Sequence, residues 1–128
     1  MDESLSEVLK KASDDDEVLA AFLFGSYARD EQYKDIDVCL VIYPSEIEEM
    51  NDLQKEIEYS EENIDVNLYH NLPLYIQVRI LEEGVLKLVK DEDMLYDLIR
   101  FTLTNWEDFR PRYEIYLESV LHGPEDSH

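Results

Sequence analysis

The chain has 128 residues, of which 45 % are hydrophobic and 34 % are charged, so it is long and apolar enough to form one buried core. Acidic residues outnumber basic ones by 32 to 11, which gives a formal net charge of −21. A protein that holds nucleic acid needs a basic face, and an anionic membrane repels an acidic one. The charge therefore predicts no direct contact with nucleic acid and none with a membrane surface.

The single cysteine and the N-terminus predict a cytoplasmic protein. Cys39 cannot form an internal disulfide and lies in an apolar run, which favours a buried, unreactive thiol. No stretch approaches the roughly 18 apolar residues of a membrane-spanning helix. The N-terminus, residues 1–7, is acidic and lacks the positive and then apolar order of a signal peptide.

The first part of the chain alternates predicted helices and strands. A capping box predicts a helix over Ser4–Ala12, and the acidic run Asp14–Glu17 after it is expected to be a solvated turn. The continuous apolar runs Val18–Phe24 and Asp35–Tyr43 predict strands that are covered on both faces. A second capping box, at Ser45, predicts a further helix. Its inner face is predicted to consist of Ile47, Met50, Leu53 and Ile57.

The second part continues with an alternating strand over Ile64–Tyr69, in which Asp65 lies on the face opposite Ile64. A helix is predicted from Pro73 to Gly84, with Leu74, Val78 and Leu81 inward, followed by a short strand over Val85–Lys90. A helix then extends from Asp91 to about Phe109, Pro111 is expected to break it, and a last helix ends near Leu121. The apolar stripe of the longer helix is predicted to be Met94, Leu95, Leu98, Phe101, Thr102 and Trp106.

These elements predict a single α/β (α+β) domain over residues 1–122, with a mixed sheet flanked by helices. The chemistry-bearing core spans residues 17–70, the C-terminal helices span 91–122, and residues 123–128 are expected to be a frayed tail.

Gly25 and Ser26 follow the first buried strand and open a polar segment that is expected to start a helix at Tyr27. Exposed backbone N–H groups at such a position attract anions, above all phosphate, and glycine lets a phosphate approach the backbone. The serine hydroxyl adds a donor. Considered alone, a Gly-Ser pair is more often a plain loop than a phosphate site.

Three carboxylates begin the next two strands. Asp35 and Asp37 are two residues apart on one strand, so both side chains leave the same face. Two such carboxylates repel each other unless a divalent cation neutralises them, and Mg²⁺ prefers this type of oxygen ligand. Asp65 begins the following strand and can lie beside them, either as a third metal ligand or as a base. The alternative is that all three are solvated side chains at strand ends.

The order strand, Gly-Ser, helix, Asp-x-Asp strand, helix, Asp strand resembles the nucleotidyltransferase superfamily with the polymerase-β-like fold. The matching segments are Gly25-Ser26-Tyr27-Ala28-Arg29, Asp35-Ile36-Asp37 and Asp65. The small size, with only helices after the core, resembles the minimal nucleotidyltransferase (MNT) family. The motif-bearing part covers about residues 17–70, and the whole chain fits the length of this family.

The resemblance implies a Mg²⁺-dependent site that uses ATP as its substrate. Gly25, Ser26 and Arg29 are implied to bind the nucleotide, with Arg29 in a supporting role. Asp35, Asp37 and Asp65 are implied to be both the catalytic residues and the ligands of two Mg²⁺ ions. Two features depart from the family pattern: the segment between Ser26 and Asp35 is shorter than usual, and it contains an aspartate and a lysine where a glycine and a serine are common.

The resemblance also implies a partner, because MNT proteins are antitoxins paired with a HEPN-domain toxin. The implied reaction transfers AMP from ATP to a tyrosine of that toxin. Two alternatives are an antitoxin that acts by binding alone with a decayed site, and a nucleotidyltransferase for small molecules of the aminoglycoside type. A homo-oligomer or a hetero-oligomer with the toxin is compatible with the resemblance.

The C-terminal helices carry several aromatic and aliphatic side chains that either complete the core or form a docking face for the partner. Ordinary core packing is the favoured interpretation. These side chains are Trp106, Phe109, Tyr113, Tyr116, Leu117 and Val120.

Overall fold

The computed structural model describes residues 3–25 and 36–126, which form a mixed α/β domain. The elements are, in chain order, α1 (Glu3–Asp14), β1 (Val18–Phe24), β2 (Ile36–Ile42), α2 (Pro44–Ile47), α3 (Asp52–Glu58), β3 (Ile64–Leu68), a 3₁₀ turn (Tyr69–Asn71), α4 (Leu74–Glu83), β4 (Val85–Val89) and α5 (Glu92–Asp126). Both strands predicted as continuous apolar runs are present, and so is the short strand after α4. The mixed fold class is confirmed.

The four strands form one sheet in the order β3-β2-β1-β4. β1 pairs antiparallel with β2 on one side and with β4 on the other, whereas β2 and β3 are parallel. The parallel pair is joined by a crossover that contains α2 and α3. Since β1 and β2 are the two central strands, they are covered on both faces and consist almost entirely of apolar residues.

Two apolar clusters cover the two faces of the sheet. The cluster under α1 includes Leu5, Val8, Val18, Ala21, Val38, Leu40, Tyr59 and Leu68. The cluster under α4 and α5 includes Leu19, Ala20, Phe22, Cys39, Val41, Tyr69, Ile80 and Leu95. Cys39 is fully buried, and this burial raises the pKa of its thiol. The prediction of a buried thiol is therefore confirmed.

The helix predicted from Ser45 is divided into α2 and α3. Pro44 occupies the first turn of α2 and Tyr43 is its N-cap, so the predicted capping box at Ser45 is wrong. The Ser45 hydroxyl instead lies 3.3 Å from the side chain of Glu46. Of the predicted inner face, Ile47 and Met50 do pack against the core.

The second half of that predicted inner face is wrong. The chain leaves the helix after α2, and Asn51 begins α3 by accepting a hydrogen bond from the backbone N–H of Gln54 at 2.9 Å. This interruption changes the phase of the helix, so that Lys55 is turned inward and is only 6 % exposed. Leu53 and Ile57 are 67 % and 62 % exposed.

The end of α4 at Gly84 is as predicted, and close packing explains why glycine is needed there. A Cβ at this position would lie 2.5 Å from the carbonyl oxygen of Ile80 and 3.0 Å from that of Leu23. The Gly84 N–H also donates to the Ile80 carbonyl at 2.8 Å. Glycine thus lets the chain pass directly from α4 into β4 against the sheet. Of the residues predicted to face inward, Val78 is buried. Ile80, which was not among them, is also buried.

Pro111 does not break the C-terminal helix, because α5 is continuous over 35 residues. Proline removes one helical hydrogen bond, but its fixed φ is compatible with a helix. Aromatic contacts span the position: Tyr113 lies 5.5 Å from Trp106 and 5.7 Å from Phe109 between ring centroids, and it stacks on Tyr75 at 5.4 Å. The helix also continues beyond residue 122, to Asp126, where a frayed tail was expected.

The predicted apolar stripe of α5 is correct only in part. Leu95 and Thr102 are buried, whereas Phe101 is 65 % exposed and Met94 is 37 % exposed. Over residues 3–25 and 36–126, no helix combines the length and the apolar character needed to cross a membrane.

Candidate active site

Asp37 and Asp65 are brought together by the parallel pairing of β2 and β3. They are register partners, so their Cα atoms lie on adjacent strands, which are separated by about 4.8 Å in a sheet. Asp37 alternates with Cys39 and Val41 and therefore lies on the face covered by α4 and α5. Asp65 lies on the same face, because its neighbour Ile64 belongs to the opposite cluster.

Gly25 lies directly beside this pair. Phe24, the last residue of β1, is the register partner of Asp37, and Gly25 then turns with a φ of 75°. A Cβ on Gly25 would be 2.3 Å from Asp37 Oδ2, so a side chain of any kind would displace the carboxylate. The residue thus has two reasons to be glycine: its left-handed backbone and the close approach of the carboxylate.

The two carboxylates differ in their exposure to solvent. Asp37 is half-buried at the start of a core strand, whereas Asp65 is exposed at the start of an edge strand. Two like charges on register partners repel each other, and a divalent cation with oxygen ligands removes that repulsion. The arrangement therefore fits Mg²⁺, which is commonly held by one or two carboxylates together with substrate phosphates.

The other predicted site residues, Ser26, Arg29 and Asp35, lie outside the described residues. Within the described ranges, no group of three or more His, Cys, Asp and Glu side chains forms a metal site. Asp37 and Asp65 are two of the three proposed metal ligands. The third, Asp35, is the residue before β2 in the sequence. The roles assigned to Ser26, Arg29 and Asp35, and those assigned to Gly25, Asp37 and Asp65, remain predictions.

A cavity of about 160 Å³ opens beside Gly25, between the end of β1 and α4. Its walls are mostly apolar, and Arg79 and Glu83 add charge at its edge. The lining residues are Phe24, Gly25, Ile76, Arg79, Ile80 and Glu83. Arg79 is not part of any motif in the sequence. The signal was available, since Arg79 shares a helical face with Ile76 and Glu83 at spacings of three and four residues.

At the opposite end of β1, a buried lysine is surrounded by acidic side chains. Lys55 lies 2.8 Å from Asp15 Oδ2 and also forms an ion pair with Glu17. The Tyr59 hydroxyl donates to the same Asp15 oxygen at 2.7 Å. The expectation of a fully solvated turn at Asp14–Glu17 is therefore wrong for Asp15, whose side chain is 17 % exposed.

The pKa values in this cluster reflect its pairing. Burial alone raises the pKa of Asp15, but hydrogen bonds from Lys55 and Tyr59 outweigh burial and lower it below the ordinary value of 3.8. Burial alone lowers the pKa of Lys55, but its bonds to Asp15 and Glu17 raise it above the ordinary 10.5. Both shifts favour the charged forms, so the cluster is an internal ion-pair network that stabilises the fold.

Comparison with known families matches residues 3–93 to the family described as polymerase beta, nucleotidyltransferase. The matched range contains Gly25, Asp37 and Asp65, and it extends over well more than half of the chain. No curated protein sequence matches this chain.

Several solved structures have the same fold at low sequence identity. A chain of a toxin-antitoxin crystal structure with AMP-PNP is 13 % identical, with a TM-score of 0.71 over 92 % of this chain and 96 % of that chain. A chain from the structure of the tri-AMPylated Shewanella oneidensis HEPN toxin in complex with MNT antitoxin is 13 % identical. Its TM-score is 0.67 over 91 % of this chain and 92 % of that chain. A chain of the toxin-antitoxin MntA-HepT is 12 % identical, with a TM-score of 0.68 over 92 % of this chain and 97 % of that chain.

Proposed function

The chain belongs to the polymerase-β nucleotidyltransferase family, and we propose that it transfers AMP from ATP to a hydroxyl group of a partner protein. The observation that carries the proposal is the register pairing of Asp37 with Asp65 directly beside Gly25. Two carboxylates beside a glycine that leaves no room for a side chain form a site that suits a divalent cation and phosphate. A site of this kind serves phosphoryl chemistry.

In the proposed reaction, an acceptor hydroxyl oxygen attacks the α-phosphorus of ATP. The new P–O bond forms as the bond to pyrophosphate breaks, and Asp65 accepts the hydroxyl proton. Backbone N–H groups at Gly25 and Ser26 bind the triphosphate, with support from Arg29. Asp35, Asp37 and Asp65 would hold two Mg²⁺ ions, which would add positive charge at a site within a chain whose net charge is −21.

Arg79 is a second basic residue, besides Arg29, that we place at the nucleotide. It lines the cavity that adjoins Gly25, and the cavity walls formed by Phe24, Ile76 and Ile80 offer apolar surface. We assign this cavity to the nucleoside part of ATP, with Arg79 at its edge near the phosphates. A guanidinium group suits this position, because it remains charged and donates in a planar fork.

The proposed acceptor is a tyrosine of a HEPN-domain toxin, and the chain is then the antitoxin of the pair. Support comes from the solved structures of the same fold, one of which contains a tri-AMPylated HEPN toxin with MNT antitoxin and another AMP-PNP. An acidic chain is also suited to a basic, RNA-cleaving partner, because opposite charges accelerate and select the encounter.

The test is transfer of label from α-labelled ATP to a purified HEPN-domain toxin. Wild-type protein with Mg²⁺ is expected to give a labelled partner with the added mass of AMP on a tyrosine. The Asp37→Asn variant is expected to lose at least about a hundredfold in rate, since it removes a charge that the transition state requires. The control is Asp93→Asn, on the exposed first turn of α5, which should retain the full rate.

A binding-only antitoxin is the second candidate, and the unusually short segment between Ser26 and Asp35 favours it. The double variant Asp35→Ala with Asp37→Ala distinguishes the two. If it still neutralises the toxin fully, and no AMP adduct forms with wild-type protein, the binding-only function replaces the proposed transfer.

A further inference from the structure

Asn67 is a polar side chain on the same face of the sheet as Asp37 and Asp65. It lies two residues after Asp65 on β3, so both side chains leave the same face, about 7 Å apart along the strand. The residues that alternate with them pack into the cluster on the opposite face: Ile64, Val66 and Leu68. Asn67 therefore lies directly behind the carboxylate pair, further along β3.

Local packing does not explain an asparagine at this position. Asn67 is the register partner of Cys39, which in turn pairs with Phe22, and both of these neighbours are buried. Asparagine is also disfavoured in strands, where β-branched and aromatic side chains pack better. Within residues 3–25 and 36–126, no group forms a hydrogen bond with the side-chain amide of Asn67. A residue that contradicts the local structural preference in this way is expected at a functional site.

The order of the strands indicates which substrate lies on the Asn67 side of the carboxylates. The sheet is arranged β3-β2-β1-β4, and the cavity that we assign to the nucleoside adjoins Gly25 at the end of β1. Asn67 is on β3, two strands away, which corresponds to about 10 Å. In the part of the chain that the structure describes, β3 is an edge strand with no further strand beside it. With the nucleotide on the β1 side, the acceptor approaches Asp65 from the β3 side.

The chemistry of the side-chain amide fits a protein acceptor. Its nitrogen donates and its oxygen accepts, so it can pair with both the C=O and the N–H of a peptide group. It carries no charge, so it neither attracts phosphate strongly nor takes a proton from the attacking hydroxyl. Because Asn67 is only partly exposed, a peptide group paired with it is partly desolvated, and loss of the pairing is then costly.

We infer that Asn67 binds a peptide group of the acceptor protein, next to the hydroxyl that Asp65 deprotonates. The inference rests on the proposed function for the identity of the acceptor. It adds a residue that holds the acceptor segment on the β3 side of the site. The two substrates are then contacted by different residues: Gly25 and Arg79 contact ATP, and Asn67 contacts the acceptor.

The experiment compares binding and stability in the Asn67→Val variant. Titration calorimetry with a purified HEPN-domain toxin should show an affinity weakened by about tenfold, since valine offers neither a donor nor an acceptor. The affinity for a non-hydrolysable ATP analogue should stay unchanged. The melting temperature should rise by about 2–4 °C, because valine suits a strand between buried neighbours. Opposite changes in toxin affinity and in stability distinguish a binding role from a structural one.

Two further variants control for the change in side-chain polarity. Asn67→Thr keeps a donor and an acceptor on a side chain that suits strands, so it should recover part of the toxin affinity. Asn105→Ala removes an exposed asparagine of α5, outside the sheet, and should leave the toxin affinity at the wild-type value.

Wild-type affinity of Asn67→Val for the toxin would overturn the inference, and so would a failure of the wild-type chain to bind the toxin. A lower melting temperature would overturn it by indicating a structural role. Weaker binding of the ATP analogue would also overturn it, because Asn67 would then act at the nucleotide. Failure of the proposed function gives a different result: wild-type protein transfers no AMP, whereas toxin binding still depends on Asn67.

Discussion

The two ends of β1 hold charged side chains in opposite arrangements. Before the strand, Asp15 and Glu17 surround the buried Lys55, and each charge has a partner of opposite sign. After the strand, Gly25 places the chain against Asp37, whose register partner is another carboxylate, Asp65. The first arrangement stabilises the fold. The second brings two carboxylates to adjacent strands beside a glycine, an arrangement that suits the binding of a cation.

The largest effect on stability is expected from Lys55→Ala. Removing the amine leaves Asp15 without its buried counter-charge, and breaking such a pair costs about 3 kcal/mol. Urea unfolding should show this loss of unfolding free energy. The control is Lys87→Ala on the exposed part of β4, which should change the free energy by less than about 0.5 kcal/mol. Equal stability of the two variants would show that the cluster at Lys55 is not a stabilising one.

The next largest effect on stability is expected from Gly25→Ala, at the other end of β1. The alanine Cβ would meet the Asp37 carboxylate, and its backbone would have to keep a φ of 75°. We expect a loss of about 1–3 kcal/mol from backbone strain, together with loss of AMP transfer. Gly84→Ala is a useful comparison for stability, because its Cβ would meet the backbone oxygens of Ile80 and Leu23 and no carboxylate. It should also destabilise the fold.

Arg79→Ala should separate nucleotide binding from folding. Arg79 is exposed at the edge of the cavity beside Gly25, so truncation removes charge and no core packing. The KM for ATP is expected to rise by about tenfold, as for loss of a charged hydrogen bond, while the melting temperature stays constant. Steady-state kinetics over a range of ATP concentrations measures this. An unchanged KM would place the nucleoside outside this cavity.

The pH dependence of stability should report the ion-pair cluster. Asp15 has a lowered pKa, so its contribution is present above its ordinary value of 3.8 and is lost as the pH falls through the folded-state pKa. Lys55 has a raised pKa, so its contribution is present below 10.5 and is lost at higher pH. The difference in unfolding free energy between wild type and Asp15→Asn should therefore shrink below about pH 4. A difference that stays constant down to pH 2.5 would contradict this.

The smallest effect on stability is expected from Asp37→Asn, even though it abolishes transfer. Asparagine has nearly the same size as aspartate and keeps a hydrogen-bonding side chain, so the unfolding free energy should stay within about 0.5 kcal/mol of wild type. Thermal unfolding in the absence of Mg²⁺ measures this. A large loss of stability would mean that Asp37 has a structural role like that of Lys55, and the contrast between the two ends of β1 would disappear.

Much of the candidate site follows from local sequence. The apolar runs of β1 and β2 determine two central strands, and the residues that end or begin them, Gly25 and Asp37, are then placed at one edge of the sheet. Asp65 is predicted from its position at the start of the next strand, and the structure pairs it in register with Asp37. The roles of all six predicted site residues stay predictions. Arg79 was missed because it lines the cavity from a helix that follows the motifs.

What the sequence by itself determined is the order of the elements, the mixed sheet and the carboxylates at one edge, because strands with continuous apolar runs have few alternatives to the centre of a sheet. What only the tertiary structure decided is which way the helices face. The phase of α3 depends on the restart at Asn51, which turns Lys55 inward, and the continuity of α5 through Pro111 depends on aromatic contacts around Tyr113. Periodicity describes one helix at a time, whereas burial depends on what packs against it, and that packing also leaves Phe101 exposed.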